Sequence, residues 1–171
     1  MKISTAHSER AHSLLFASAS GCRFCIRLGD IERLLPLVQL QIVPEAPPYL
    51  AGIMNLAGEP VPVIDLATRL GCGRDRPYRL DSPVLLIKTQ VQRAGLLVDD
   101  VLGIRDVPRE AVRGEALFRE GLPPVLGAVV QEEGAALLLD TLRILDIDLS
   151  GLAEPLALGE DLLALCQERA S

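Results

Sequence analysis

Aromatic residues are nearly missing from this chain of 171 residues: there is no Trp, and Phe and Tyr together make up 3%. A core must therefore be packed from Leu, Val, Ile and Ala, which supply most of the 49% hydrophobic fraction. Basic residues are outnumbered, 17 Lys and Arg against 23 Asp and Glu, for a net charge of −6 and a pI near 4.9. That balance argues against a nucleic-acid partner, because phosphate binding needs a basic surface. It also disfavours an anionic membrane surface. No run of about 18 apolar residues occurs, so no transmembrane helix and no direct membrane insertion are expected. The opening Met1 to Arg10 lacks the apolar stretch of a signal peptide, and the chain reads as cytoplasmic. Only two histidines occur, His7 and His12, both in a polar opening that reads as a loose tail. The body is thus left without a good general base. Gly-x-Ser-x-Gly, P-loop and dinucleotide glycine motifs are also missing. No catalytic residue, cofactor or enzyme activity is expected.

Cysteine is sparse: Cys22, Cys25, Cys72 and Cys166, expected as reduced thiols in a cytoplasmic chain. Cys22-Arg-Phe-Cys25 has metal-ligand spacing, but no second Cys or His pair accompanies it. A structural zinc needs four convergent ligands, so no metal is expected. The two thiols read as small residues of a β-hairpin, with Cys25 on its apolar face.

What the chain does contain is a repeat. Gly52 is followed 13 positions later by Asp65, and Gly127 is followed 13 positions later by Asp140. Each glycine leads through a polar turn and an apolar run to an aspartate that opens a helical turn. Arg27-Leu-Gly-Asp-Ile-Glu-Arg-Leu similarly matches Leu97-Val-Asp-Asp-Val-Leu-Gly-Ile at an offset of about 70. Two halves built alike indicate a twice-repeated β module.

Short alternating runs separated by Gly, Pro and charged turns predict an all-β fold, with about five strands in each half. Leu14 to Ser20 and Arg23 to Arg27 read as strands around Gly21. Ile31, Leu34, Leu35, Leu37 and Val38 are expected to feed the first core. Pro44, Pro47 and Pro48 predict a stiff extended crossing. Ile53 to Leu56 and Val61 to Ile64 read as a hairpin, with Pro60 and Pro62 on a sheet edge or at a bulge. Val84 to Lys88 pairs with Arg93 to Val98. Val125 to Val130 pairs with Ala135 to Leu139. Asp65 and Asp140 read as helix N-caps. A catalytic carboxylate pair is the sharper alternative, but equivalent positions of two repeats would lie far apart. The domain reading is a tail at 1–12, a β domain at 13–150 with halves at about 13–72 and 83–150, and an amphipathic helix within 151–171 packed on the barrels.

These pieces together resemble a known family. Asp30-Ile-Glu-Arg-Leu, Val43-Pro-x-Ala-Pro, Tyr49-Leu-Ala-Gly-Ile-Met-Asn-Leu-x-Gly, Val61-Pro-Val-Ile-Asp-Leu with Arg69-Leu-Gly71, Ala94-Gly-Leu-Leu-Val-Asp-Asp-Val, and Leu126-Gly127 with Leu138-Leu-Leu-Asp140 occur in the order seen in the CheW-like domain. That domain is the coupling module of bacterial chemosensory arrays. The resemblance covers roughly Leu14 to Leu149. It implies two side-by-side SH3-like five-stranded β-barrels with short helices. It also implies a non-enzymatic adaptor that bridges the cytoplasmic tip of a methyl-accepting chemoreceptor and the regulatory domain of a CheA-type histidine kinase, recruited to membrane-associated receptor arrays.

Two positions depart from the family pattern. Its usual Asn-x-Arg-Gly turn is Asn55-Leu56-Ala57-Gly58 here, and Arg33 stands where the family usually has Glu. If those residues usually pair, this chain has replaced the acid by a base and removed the base. Loss of a surface pair costs only ~0–1 kcal/mol, so the fold should survive. Partner choice should change more, because misplaced interface charge rejects partners. Carried over position by position, the partner interface comprises Ile31, Arg33, Asn55, Ala57, Gly58, Val84, Asp99 and Val101. Ile31, Val84 and Val101 read equally as ordinary core, and Asn55 and Gly58 as turn-formers. Asp99-Asp100 reads as a solvated turn bordering the cleft between the barrels. Alternative readings are a CheW-like module in a non-motility pathway and a small-ligand sensor that uses an aliphatic inter-barrel groove.

Overall fold

The computed structural model describes residues 11–74, 76–90, 92–114 and 124–146. The helix expected within 151–171, and the tail up to residue 10, lie outside the described residues. Strands β1 (Ala11–Ala19) and β2 (Cys22–Arg27) form a hairpin with Ala19 opposite Cys22. Ser20 and Gly21 both take positive φ, 49° and 78°, the mirror-image turn whose twist matches that of the flanking strands. Ala11 and His12, expected in the tail, belong to β1 and face Pro108 and Val107. A 3-10 turn (Leu28–Asp30) carries the chain into β3 (Ile31–Pro36). Then follow β4 (Leu50–Leu56), β5 (Glu59–Asp65) and helix α1 (Leu66–Arg69). The second repeat runs through β6 (Pro83–Lys88), β7 (Arg93–Leu97), β8 (Asp100–Pro108), β9 (Val112–Arg113), β10 (Val125–Gln131), β11 (Gly134–Leu139) and helix α2 (Thr141–Ile144).

The two sheets do not coincide with the two halves of the sequence. One sheet has the order β8-β1-β2-β11-β10-β9 and the other β3-β6-β7-β5-β4. Each repeat passes its third strand to the hairpin of the other: β8 pairs with β1, and β3 pairs with β6. A boundary at 72–83 therefore separates the repeats but not the sheets. The cause is the shortness of the crossovers. Three residues after β2, and Val98-Asp99 after β7, redirect the chain without returning it to its own hairpin. Parallel pairs then complete the pattern, β2 with β11 and β7 with β5.

Both sheets curl closed. β8 continues through the turn Arg109–Ala111 into β9, which pairs with β10 at the far end of its sheet. In the other sheet Gln41 and Ile53 exchange two backbone hydrogen bonds, of 2.8 and 2.9 Å. The faces of Pro60 and Pro62 lie on an open sheet edge, as expected, although β5 as a whole is a central strand. It pairs on both sides, but its ladder to β7 opens at Val63, beyond both prolines, so no missing N–H is asked to donate.

Three apolar clusters result. Leu14, Phe16, Cys25, Val107, Val129, Ala136 and Leu138 fill one barrel. Met54, Val61, Val63, Val84, Leu86 and Leu97 fill the other. The third and largest lies between them, where Leu15, Ala17, Phe24 and Ile26 of one sheet meet Ile64, Leu85, Ile87 and Leu96 of the other. Strands buried on both faces read as near-continuous apolar runs, as Val84-Leu-Leu-Ile and Ala136-Leu-Leu-Leu do.

The short helices are fixed by their ends. Asp65 accepts the Thr68 N–H, and Asp140 those of Leu142 and Arg143, as the repeat implied. Arg69, buried at the end of α1, lies over the Tyr49 ring, 4.2 Å from its centroid. It donates to the carbonyls of Arg143, Ile144 and Asp146 at 3.2, 3.2 and 2.5 Å. These are the carbonyls a helix C-terminus leaves unpaired, so one guanidinium caps α2 from the other repeat.

Candidate functional site

The expected interface residues fall into three groups. Val84 is fully buried inside the barrel that also holds Met54 and Leu97. It is core and cannot meet a partner. Its strand β6 lies between β3 and β7, and no alternation in the sequence distinguishes this central strand from a half-exposed one. Ile31 and Val101 are half-buried and pack against the inter-barrel cluster. They occupy matching positions at the starts of β3 and β8, at the rim of that cluster. Arg33, Asn55, Ala57 and Gly58 are exposed.

Beside Ile31 and Val101 stand residues that sequence reasoning placed wrongly or passed over. Leu34, expected in the core, is 51% exposed, and Ile104, 70 positions on, is 57% exposed. Leu34 sits opposite Leu85, and Ile104 opposite Leu15, so each shares a face with the central cluster but projects beyond it. Val38 and Ile42 after β3 and Leu102 on β8 are also exposed. The offset of 70 was the available signal for this pairing. β3 is half-exposed, because it is the edge of its sheet rather than a wall of its core.

The β4–β5 tip is a two-residue turn. Ala57 (φ 52°) and Gly58 (φ 91°) occupy its centre, and Asn55 accepts the Gly58 N–H through Oδ1 at 2.7 Å. Ala pays a steric penalty in the left-handed region that Gly does not. A charge bridge from other residues stands between β3 and the β4–β5 tip. A bulge between Ile31 and Arg33 interrupts the ladder at Glu32. Glu32 takes one arm of Arg93 at 2.8 Å, and Glu59 takes the other at 2.6 Å.

Asp99 is not the solvated turn residue expected. It accepts the Ser20 N–H at 2.6 Å and pairs with Arg74 at 3.2 Å. Arg74 also reaches Asp65 at 3.2 Å and stacks on Tyr78, 3.2 Å from the ring centroid. The Tyr78 hydroxyl donates to Asp65 at 2.5 Å. Burial, then the charge and hydrogen bond of Asp65, hold the Tyr78 phenol far above its ordinary range. This network clasps the 72–82 loop to the ends of β1, β5 and β7, beside a cavity of about 480 Å³ lined by Ser20, Arg74, Arg76 and Asp100.

Reactive chemistry finds no support in these positions. Cys22 belongs to the inter-barrel cluster and Cys25 to the interior of one barrel, so their side chains leave β2 on opposite faces. Burial pushes the Cys25 thiol up to about 12, away from thiolate chemistry. Among the described residues no three His, Cys, Asp or Glu side chains converge on a point that could hold a metal. Asp65 and Asp140 each cap their own helix. Among the described residues, side chains pack the space between the barrels where an aliphatic groove was expected.

Comparison with known proteins agrees with this architecture. Residues 13–148 match the CheW-like domain. A probable chemotaxis protein CheW of Rhizobium etli is 34% identical over 92 residues, which is 53% of this chain and 57% of that protein. The match thus spans little more than half the length of that relative. Protein PilI of Pseudomonas aeruginosa is 29% identical over 110 residues, covering 64% of this chain and 58% of PilI. The crystal structure of the scaffolding protein TtCheW from Thermoanaerobacter tengcongensis superposes with a TM-score of 0.72 at 22% identity, covering 83% of this chain and 97% of that one. That likeness establishes the fold of two β units. A family match over most of the sequence, on the repeat, caps and closed sheets described above, places this chain in the CheW-like domain family.

Proposed function

We propose that this chain is a non-enzymatic adaptor that couples the cytoplasmic tip of a chemoreceptor to the regulatory domain of a CheA-type histidine kinase. One observation carries the reading. Two edge strands, β3 and β8, present exposed aliphatic residues at matching positions, Leu34 and Ile104, beside a solid inter-barrel core. Exposed apolar strips on sheet edges favour protein partners over small ligands. Two such strips give one molecule two docking faces, as a bridge requires. Polar rims such as Arg33 and the Glu32–Arg93–Glu59 bridge would select the partner. No helix among the described residues is long and apolar enough to cross a membrane, so contact with a membrane array would run through the receptor.

A second reading places the same adaptor in a non-motility chemosensory pathway. Its supports are the similarity to PilI and the altered Ala57 and Arg33 positions. For a small-ligand sensor the described residues offer a packed inter-barrel cluster and, beside it, a cavity of about 700 Å³ whose lining is mostly polar, with Arg27, Asp30, Lys88 and Asp140.

The test is a binding measurement against the kinase regulatory domain and receptor hairpin encoded in the same genome. Wild type should bind both without turnover of any nucleotide or metabolite. Ala57→Arg combined with Arg33→Glu should change affinity for one partner and leave the other within about twofold, since rim charges act locally. Failure to bind either partner would remove the adaptor reading.

A further inference from the structure

The β4–β5 tip raises a mechanical question: what holds it at a fixed angle to β3? Its own turn is rigid, through Ala57, Gly58 and the Asn55 side chain. Its buried packing stops at Val61 and Leu56, and its backbone ladder to β7 is short. The ladder of β5 to β7 begins only at Val63, and neither Pro60 nor Pro62 has an N–H to extend it. The register Asn55 with Pro60 and Leu56 with Glu59 therefore carries the tip beyond the shared ladder. Among the described residues, Val61 and Leu56 pack on the cluster that Leu97 and Leu35 share, and the Arg93–Glu59 contact is the side-chain ion pair that ties residues 55–62 to β7.

Arg93 itself is firmly placed. It opens β7, directly across from Lys88 of β6. Its guanidinium presents two nitrogens in a planar fork, and each holds a different carboxylate, Glu32 on β3 and Glu59 at the base of the tip. A lysine ammonium at this position has no such fork. The planar fork fixes a distance and an angle between two elements that backbone pairing leaves unconnected.

We propose that Arg93 is a positioning residue, which joins the β3 strip (Arg33, Leu34) and the β4–β5 tip (Asn55 to Gly58) into one docking surface of set geometry. This rests on the adaptor reading above, and its test separates the two. The first readout needs no partner. Amide exchange at residues 56–59 should rise by up to about fivefold in Arg93→Gln and in Glu59→Gln, since each removes the one exposed ion pair that reaches the tip. The β10–β11 tip at 131–134 should not change. The second readout is affinity for the kinase regulatory domain and the receptor hairpin. The partner that uses the tip should bind up to about fivefold more weakly to either variant. Arg93→Lys should fall between wild type and Arg93→Gln. Thermal midpoints within about 2 °C of wild type would show that the fold is kept. Unchanged exchange at the tip in both variants overturns the proposal. Faster exchange with unchanged affinity for every partner that wild type binds also overturns it. If wild type binds neither partner, the adaptor reading fails, and the exchange result alone decides whether Arg93 holds the tip.

Discussion

Arg69 and Cys25 show how little a residue type says before its surroundings are known. In the sequence Arg69 is one letter of a family pattern. In the fold it caps a helix of the other repeat and covers Tyr49. Cys25 was legible as a thiol on an apolar face, and so it is. Its burial has a consequence for stability. The thiol of an unfolded chain ionises near 9.0, whereas the folded state holds it to about 12. Between those values the unfolded state binds fewer protons than the folded one, so stability falls as pH rises. Below pH 9 this contribution is fully present. Tyr78, whose phenol is also pushed up, adds a loss of the same sign at higher pH. Cys25→Ala should therefore flatten the decline of stability between pH 9 and 11, read by urea midpoints across that range. An equally steep decline in the variant would assign the loss elsewhere. Val84 teaches the converse lesson. It was expected at an interface because the family pattern put it there, and no single-residue property separates a buried Val from one at a rim.

At the level of elements, periodicity served well where a strand has one wet face and failed where it has none. The hairpins β1–β2, β4–β5 and β10–β11 were legible from alternation and from Gly or polar turn residues. Edge status was not. In β3, Leu34 is exposed beside Glu32 and Arg33, because an edge lacks the neighbour that would cover Leu34. The same reasoning makes β3 and β8 separable docking elements. Leu34→Lys should weaken binding to one partner by about tenfold or more, and Ile104→Lys binding to the other, since a charge desolvated in an apolar contact costs more than 1.4 kcal/mol. Both residues are exposed, so thermal midpoints should change little. Equal loss of both partners from either substitution would mean a single shared surface.

Across the whole molecule, the repeats exchange strands, and this exchange makes them inseparable. Neither sheet is complete without strands from both repeats, and the largest apolar cluster belongs to both sheets at once. The chain should therefore unfold in one cooperative transition, with calorimetric and van't Hoff enthalpies equal. Arg69→Leu should lower that single midpoint and not split it. It leaves the buried Ile144 carbonyl without its donor, a cost of about 1–3 kcal/mol, and the part-buried carbonyls of Arg143 and Asp146 lose theirs at a smaller cost. Two resolved transitions would show that the barrels are independent units.

The composition, the repeat and the turn residues were enough to specify an all-β chain of two related units and to name its helix caps. These follow from local physics: strand alternation, left-handed glycines and side chains that bond their own backbone. The strand exchange, the filled space between barrels, the burial of Val84 and the Glu32–Arg93–Glu59 bridge depended on contacts between residues tens of positions apart. No local preference encodes such contacts. They arise when each sheet must close its edges and cover its second face, and only the folded arrangement determines which strand is at hand to do so.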